Sequence, residues 1–95
     1  MEHKVIRCRY HFTGMVQGVG FRYRARYAAQ LLDLTGWVEN NADGSVTGEV
    51  QGPMEMVARW VPTILAGSSW IEIESMDRTD QPVREDEWGF SVRGY

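Results

Sequence analysis

The 95-residue chain has one cysteine, three prolines and no long hydrophobic run. A single cysteine excludes a disulfide framework within the chain and fits a reducing compartment. The longest uncharged stretch, residues 60–71, is too short to span a membrane, and no N-terminal apolar run is typical of a signal peptide. We therefore expect one small cytoplasmic domain, residues 1–95, that does not associate with membranes.

Basic residues are scarce in the second half of the chain. Residues 1–47 hold six basic and four acidic residues, whereas residues 48–95 hold four basic and nine acidic residues. Nucleic-acid affinity depends on many cations that neutralise phosphates, so a net charge of −3 argues against a nucleic-acid partner. One small anion needs only a local positive site, which the first half can supply.

The periodicity of apolar residues predicts the order of the elements. Alternation with period two indicates strands and helical spacing indicates helices. We predict strands at 4–12, 37–40, 46–51, 70–76 and 87–95, a helix at 21–33, and a second helix that opens at Gly52-Pro53. This βαββαβ order with a short extra C-terminal strand is typical of an α+β, ferredoxin-like sandwich, in which two helices cover one face of an antiparallel sheet.

Four finer expectations can be compared with a structure. Gly36 is expected to be the left-handed cap of the first helix. Pro62 is expected to kink or end the second helix near Val61. Residues 77–86 are expected to form a surface loop. The expected apolar positions of the second helix and of the last strand are Met54, Met56, Val57, Trp60 or Val61, Ile64, Trp88, Phe90 and Val92.

A glycine loop, residues 14–20, joins the first strand to the first helix. The amides at the start of a helix lack intrahelical partners and carry the positive end of the helix dipole, so this junction can bind an anion. Arg22 lies in the first helical turn, where the dipole itself disfavours a cation and a bound anion would favour one. The alternative is an ordinary connection with a solvated arginine, and the spacing is neither a dinucleotide fingerprint nor a Walker loop.

Asn40 is expected at the same end of the domain as Arg22. The first helix carries the chain roughly 18 Å from the loop, and the second strand returns it nearly the same distance. A guanidinium offers a planar set of donors to phosphoryl oxygens, and a carboxamide can hold a water and donate to another oxygen. The alternative is that Asn40 only begins a hairpin turn.

The sequence at this point resembles a known family. Residues 14–22 (GMVQGVGFR) and 36–40 (GWVEN), continuing through Gly44, Val46 and Gly52, are similar to the two signature blocks of the acylphosphatases. The resemblance implies hydrolysis of the carboxyl-phosphate bond of small acyl phosphates without a metal or other cofactor. It further implies that Arg22 binds the phosphate and that Asn40 orients the attacking water. The helping backbone amides would be those of Met15, Val16, Gln17, Gly18, Val19 and Gly20.

Three positions depart from the family pattern. Glu39 stands where the family usually has a basic, amide or small residue, and Met15 stands at a position that is often basic. Pro62 interrupts the second helix, which concerns stability more than chemistry. The histidines, the cysteine and the carboxylates do not have the spacing of a metal site, so none is expected.

Two other readings remain open at this stage. One is a phosphate-binding or regulatory module of the same fold without significant turnover, including a domain that serves a larger carbamoyl-phosphate-using enzyme. The other is an RNA-binding sheet, which needs exposed aromatic residues and a basic surface. The strand residues that would form that surface do not supply them: Arg7, Arg9 and His11 opposite Thr47, Glu49 and Gln51. The chain ends at its last strand, so a free-standing, monomeric enzyme is expected.

Overall fold

The computed structural model describes residues 4–94 and contains five strands and three helical segments in that range. The strands are β1 (Val5–Met15), β2 (Thr35–Asn40), β3 (Val46–Pro53), β4 (Glu72–Gln81) and β5 (Phe90–Arg93). The helices are α1 (Phe21–Leu31), α2 (Met54–Val57) and α3 (Trp60–Ala66).

Within residues 4–94, no helix is both long enough and apolar enough to cross a membrane.

The strands form one sheet in the order β4-β1-β3-β2-β5. Strands β1 to β4 pair antiparallel with their neighbours, whereas β5 runs parallel to β2. The sheet is therefore mixed rather than wholly antiparallel. The helices lie on one face of this sheet, which confirms the ferredoxin-like α+β architecture with an extra C-terminal strand. We call the opposite face the open face.

Aromatic side chains fill the space between the sheet and the helices. The ring of fully buried Trp60 lies 5.3 Å from that of Tyr10 and 6.0 Å from that of Phe90. Its Nε1 donates to the carbonyl of Ala25 at 3.0 Å, which links α3 to α1 and satisfies a buried donor. The ring centres of Phe12 and Phe21 lie 5.1 Å apart, so the first residue of α1 packs directly on β1. The core thereby fixes where α1 begins.

The first helix ends two residues earlier than predicted, and its left-handed residue is not Gly36. Asp33 has a φ of 57°, while Gly36 lies inside β2 with a φ of 147°. A β-carbon at Gly36 would lie 1.9 Å from the carbonyl oxygen of Glu49. Glycine is therefore required at residue 36 by the close approach of β3 and not by a helix cap.

The second helix is broken, as expected, but at residues 58–59 rather than near Val61. Pro62 has no N–H for the carbonyl of Ala58, and its ring crowds the preceding turn. The interruption therefore falls one turn before the proline. Met54, which was expected in the core, is half exposed because it opens the first short segment, while Val57 and Ile64 are buried as predicted.

The two edges of the sheet differ most from the sequence prediction. β1 continues through a bulge to Met15, and its partner β4 covers residues 72–81 rather than 70–76, so half of the expected surface loop is a strand. Among residues 4–94, β4 pairs only with β1 and is exposed along most of its length, so its second half, residues 77–81, carries no alternating pattern. The last strand begins at Phe90, and Trp88 is 92% exposed rather than buried. Tyr95, at the end of the predicted strand, lies outside the described residues.

Residues 82–89 form a crossing segment that connects opposite edges of the sheet. Because β4 and β5 are the two edge strands, the chain must pass over the strands between them. The backbone N–H and carbonyl of Arg84 bond to the side chain of Gln51 at 2.8 and 2.7 Å. Glu87 accepts two hydrogen bonds from Arg7 at 2.7 and 3.1 Å. The segment therefore lies on the open face.

The crossing segment buries an ionic cluster that the alternation pattern alone would place in solvent. Arg7 and Glu49 are only 2% and 5% exposed. The carboxylate of Glu49 accepts one hydrogen bond from Arg7 Nε and one from Arg9 Nε, both 2.6 Å long. Paired and hydrogen-bonded charges avoid the large cost of burying a lone ion. The cluster therefore holds the crossing segment against the sheet.

Replacing Glu87 with glutamine should destabilise the fold at neutral pH and have little effect in acid. We expect the free energy of unfolding at pH 7 to fall by about 1–3 kcal/mol, because hydrogen bonds to charged groups contribute on that order. Burial raises the pKa of Glu87, but hydrogen bonds from Arg7 and Thr35 and the nearby positive charges hold it below its usual value. A depressed folded-state pKa stabilises the protein above the unfolded-state pKa, and this contribution is lost as the pH falls through the folded-state pKa.

Urea denaturation at several pH values measures this effect. The difference between wild type and Glu87→Gln should be full at pH 7 and shrink below about pH 4. Glu85→Gln, at an exposed position of the same segment, is the matched control and should leave the stability unchanged. A penalty of equal size at pH 3 and pH 7 would contradict the assigned ion pair.

Candidate functional site

The glycine loop is anchored in the core at both ends and is exposed in the middle. Val16 and Phe21 are each 1% exposed, whereas Gly18 and Gly20 lie at the surface. Gly18 and Gly20 have φ values of 73° and 77°, a conformation that residues with a β-carbon rarely adopt. The buried anchors and the two left-handed glycines thus define the shape of the loop.

The loop leads directly into the N-terminus of α1. Gly20 is the N-cap residue, and its carbonyl accepts a hydrogen bond from the amide of Arg24 at 3.0 Å. No side chain in the described part of the chain caps this end. The first turn contains no acidic residue. The amides of the first turn and the positive end of the dipole therefore face the loop without a compensating carboxylate in that turn.

The side chain of Gln17 ties the loop to the hairpin between β2 and β3. Its Nε2 donates to the carbonyl of Asn41 at 2.7 Å and to the carbonyl of Ser45 at 2.9 Å. Sequence analysis assigned Gln17 a backbone role only. No local pattern indicates these bonds, since the partners lie 24 and 28 residues away along the chain.

The hairpin is itself held by a polar network. Asn41 Nδ2 donates to the hydroxyls of Ser45 and Thr47 at 2.9 and 2.8 Å, and the amide of Ser45 donates to Asp43 Oδ1 at 3.0 Å. Bonds from Ser45 to Asp43 also lower the pKa of that carboxyl. A turn with this many internal bonds is a fixed support for the residue that precedes it, Asn40.

Arg22 reaches from α1 to the end of β5. Its Nη1 donates to the carbonyl of Arg93 at 2.8 Å. A guanidinium has five N–H groups, so one bond to a carbonyl orients the group and leaves donors for an anion. A β-carbon at Gly94 would lie 3.8 Å from Arg22 Nη1 and 4.0 Å from the amide nitrogen of Asn40. The chain after β5 therefore lies close to both residues.

Asn40 is the last residue of β2 and is paired with Val46 of β3. Successive strand residues point to opposite faces, so Asn40 shares the helix-covered face with Val38, which is fully buried. Its carboxamide oxygen is also buried. The side chain is thus directed toward α1 rather than toward the open face.

One pocket of about 150 Å³ lies where these elements meet. It is lined by Val16, Gln17, Gly18, Gly20, Phe21, Arg22, Tyr23 and Asn40. The two side chains expected to act together, 18 positions apart in sequence, therefore border the same small space. Two of the expected loop residues do not line it. Met15 borders a separate depression beside Glu72 and Glu74, and Val19 packs partly against the core.

The charge of Glu39 is turned away from this pocket. As the neighbour of Asn40 in a strand, Glu39 points to the open face. Its Oε1 lies 3.8 Å from Nη1 of Arg93, whose guanidinium stacks on Trp37 at 4.4 Å from the ring centre. Glu39 points away from the pocket and is paired with Arg93. Both features weaken the electrostatic repulsion between this carboxylate and an anion bound next to Asn40.

Among residues 4–94, no three histidine, cysteine, aspartate or glutamate side chains are close enough to hold a metal ion together.

Comparison with known proteins agrees with the geometry. The sequence model of the Acylphosphatase family matches residues 8–92. An acylphosphatase of Geobacillus thermodenitrificans is 43% identical over 79 residues, which is 83% of this chain and 84% of that protein. One of Clostridium perfringens is 41% identical over 88 residues, which is 93% of this chain and 99% of that protein.

A solved structure leads to the same conclusion. The crystal structure of acylphosphatase from Bacillus subtilis superposes with a TM-score of 0.85 at 31% identity, and the alignment covers 94% of this chain and 99% of that chain. Sequence and structure thus agree over nearly the whole length. The chain therefore belongs to the acylphosphatase family of enzymes.

Proposed function

We propose that this chain hydrolyses the carboxyl-phosphate bond of small acyl phosphates to a carboxylate and inorganic phosphate, in the pocket between Arg22 and Asn40. The observation that carries the proposal is the shared pocket itself, which brings a guanidinium, a carboxamide, loop residues and a helix N-terminus together. Its volume of about 150 Å³ is well below that of ordinary small-molecule pockets, roughly 300–1,000 Å³. The pocket is large enough to hold a phosphoryl group.

Arg22 and the backbone bind the phosphoryl oxygens. The bond to the carbonyl of Arg93 fixes the plane of the guanidinium, so its remaining donors can engage two oxygens side by side. The loop amides and the first turn of α1 add donors that need no rearrangement on binding. Such preorganised donors stabilise the charge that develops on the equatorial oxygens in phosphoryl transfer.

Asn40 orients the attacking water. Its carboxamide oxygen can accept a hydrogen bond from the water and so direct the water toward phosphorus. The hairpin network and the Gln17 bonds hold the residues that follow Asn40, which keeps the water in a defined direction. Positioning of this kind can supply a large part of the rate acceleration.

The chemistry needs little acid catalysis. The water oxygen forms a bond to phosphorus while the bond from phosphorus to the acyl oxygen breaks in line. The acyl group leaves as a carboxylate, which is already a stable anion, and the protons of the water remain on the phosphate product. The proposed reaction therefore uses binding, orientation and charge stabilisation by groups of this chain alone.

Replacing Arg22 with lysine should remove most of the activity. Lysine keeps the charge but offers a point charge in place of the planar donors, and its ammonium cannot bind two oxygens in parallel. We expect the wild type to release phosphate from acetyl phosphate in the presence of a chelator, and Arg22→Lys to lose at least about 100-fold in kcat/KM. Arg26→Lys, one turn further along the same helix and outside the pocket lining, is the matched control. Near wild-type turnover by Arg22→Lys would remove Arg22 from the site.

Replacing Asn40 with alanine should separate binding from turnover. The variant loses the group that directs the water but keeps Arg22 and the loop amides. We expect kcat to fall by about 100-fold or more, while competitive inhibition by inorganic phosphate stays within about threefold of wild type. Asn41→Ala tests the hairpin support without removing the carboxamide at residue 40. If phosphate inhibition and turnover were lost together in Asn40→Ala, Asn40 would be a phosphate ligand rather than a water-positioning group.

A further inference from the structure

A second, larger pocket lies on the open face of the sheet, between the strands and the crossing segment. Its volume is about 350 Å³, against about 150 Å³ for the pocket beside Arg22, and it falls within the range of ordinary small-molecule sites. The two pockets share no residue of the described chain. Among residues 4–94, the charged side chains that line this open-face pocket are Arg7, Arg9, Arg84, Arg93 and Glu49. Four cations against one carboxylate make it a candidate site for an anion.

Three of the four arginines can offer donors to a ligand. Arg7 is buried, and its guanidinium is already engaged with Glu49 and with the crossing segment. The side chains of Arg9, Arg84 and Arg93 are each about half exposed. A guanidinium has five N–H groups, so the bonds from Nε and Nη2 of Arg9 to Glu49 leave other donors of that group available.

The nearby acidic residues do not occupy the donors of Arg84 and Arg93. Nη1 of Arg93 lies 3.8 Å from Glu39 Oε1, and Nε of Arg84 lies 3.7 Å from Asp86 Oδ1. Both distances are too long for a hydrogen bond, and ion pairs between exposed side chains contribute little to stability. The lining carboxylate, Glu49, is buried and already shared by two arginines. An anion can therefore replace both exposed pairs at little cost.

Trp37 holds two of the cations close together. The guanidinium carbons of Arg9 and Arg93 lie 5.8 and 4.4 Å from the centre of its ring, within the range of cation–π contacts. Two like charges beside one ring repel each other, and an anion bound to both would relieve that repulsion. Donors that are restrained before binding also lose less entropy when a ligand arrives. The ring itself is only 7% exposed, so it offers no broad face on which a nucleobase could stack.

We propose that the open-face pocket is a second anion site, which binds a diphosphate group. Guanidinium groups bind phosphoryl oxygens side by side. A diphosphate carries more negative charge and more acceptor oxygens than inorganic phosphate, so it can engage all three exposed arginines at once. The same group occurs in free pyrophosphate and in nucleoside diphosphates, and the buried ring of Trp37 predicts that a nucleobase adds no affinity. The inference does not depend on the proposed hydrolysis, because the two pockets are separate.

The test is a ¹H–¹⁵N NMR titration of the labelled protein with pyrophosphate at constant ionic strength. We expect the indole N–H signal of Trp37 and the Nε–H signals of Arg9, Arg84 and Arg93 to shift together and to saturate. Inorganic phosphate should bind there about tenfold more weakly or worse, the effect of losing one charge-assisted hydrogen bond. ADP should bind no more tightly than pyrophosphate, and tighter binding would contradict recognition of the diphosphate alone. Shifts confined to residues 16–20, or shifts on the open face that never saturate, would overturn the inference.

Arg84→Gln tests the pocket without removing the contacts that hold the crossing segment. The variant loses the guanidinium but keeps the backbone bonds of residue 84 to Gln51. We expect the Kd for pyrophosphate, read from the Trp37 indole signal, to rise about tenfold. Arg59→Gln is the matched control, since it removes the same charge at an exposed position at the start of α3, outside the pocket. Its Kd should stay within about twofold of wild type, because salt screens distant charges.

The outcomes separate this inference from the proposed function. An unchanged Kd in Arg84→Gln, or an equal rise in Arg59→Gln, would overturn the second anion site and leave the hydrolase proposal intact. A wild type that binds pyrophosphate on the open face but does not cleave acetyl phosphate would refute only the proposed function.

Discussion

The two hydrogen bonds from Gln17 to the carbonyls of Asn41 and Ser45 are the interaction on which the site depends. They join the glycine loop to a hairpin more than 20 residues away, and the two segments carry different parts of the site. The loop and Arg22 belong to one βα unit, and Asn40 belongs to the next strand. Together with the packing of α1, these bonds set the distance between the donors that we propose bind phosphate and the carboxamide that we propose orients the water.

A second long-range contact links Arg22 to the last strand, β5. The crossing segment carries the backbone from one edge of the sheet to the other, and β5 then presents the carbonyl of Arg93 to Arg22. The cluster of Arg7, Glu49 and Glu87 holds that segment on the open face. The crossing segment leads into β5, which pairs with β2 and whose last residue, Arg93, accepts the hydrogen bond from Arg22.

Local patterns in the sequence predicted the parts of the fold that local physics determines. Alternation in β1, helical spacing in α1 and the lengths of α1 and β2 were enough to expect Arg22 and Asn40 at one end of the sandwich. They could not identify Gln17 as a tether or Arg93 as a partner of Arg22, because those contacts join residues far apart in sequence. The second half of edge strand β4, residues 77–81, was predicted as a loop because exposure on both faces removes the alternating pattern there. The burial of Arg7 depends on a distant segment, so the alternation in β1 does not indicate it.

The most direct test of this account is a ¹H–¹⁵N NMR titration of the labelled protein with inorganic phosphate. If loop amides, guanidinium and carboxamide form one anion site, the signals of residues 16–20, the Arg22 side chain and the Asn40 side-chain amide should shift together with a single dissociation constant. Shifts confined to arginines on the open face, such as Arg9, Arg84 and Arg93, with an unchanged loop would contradict the central claim.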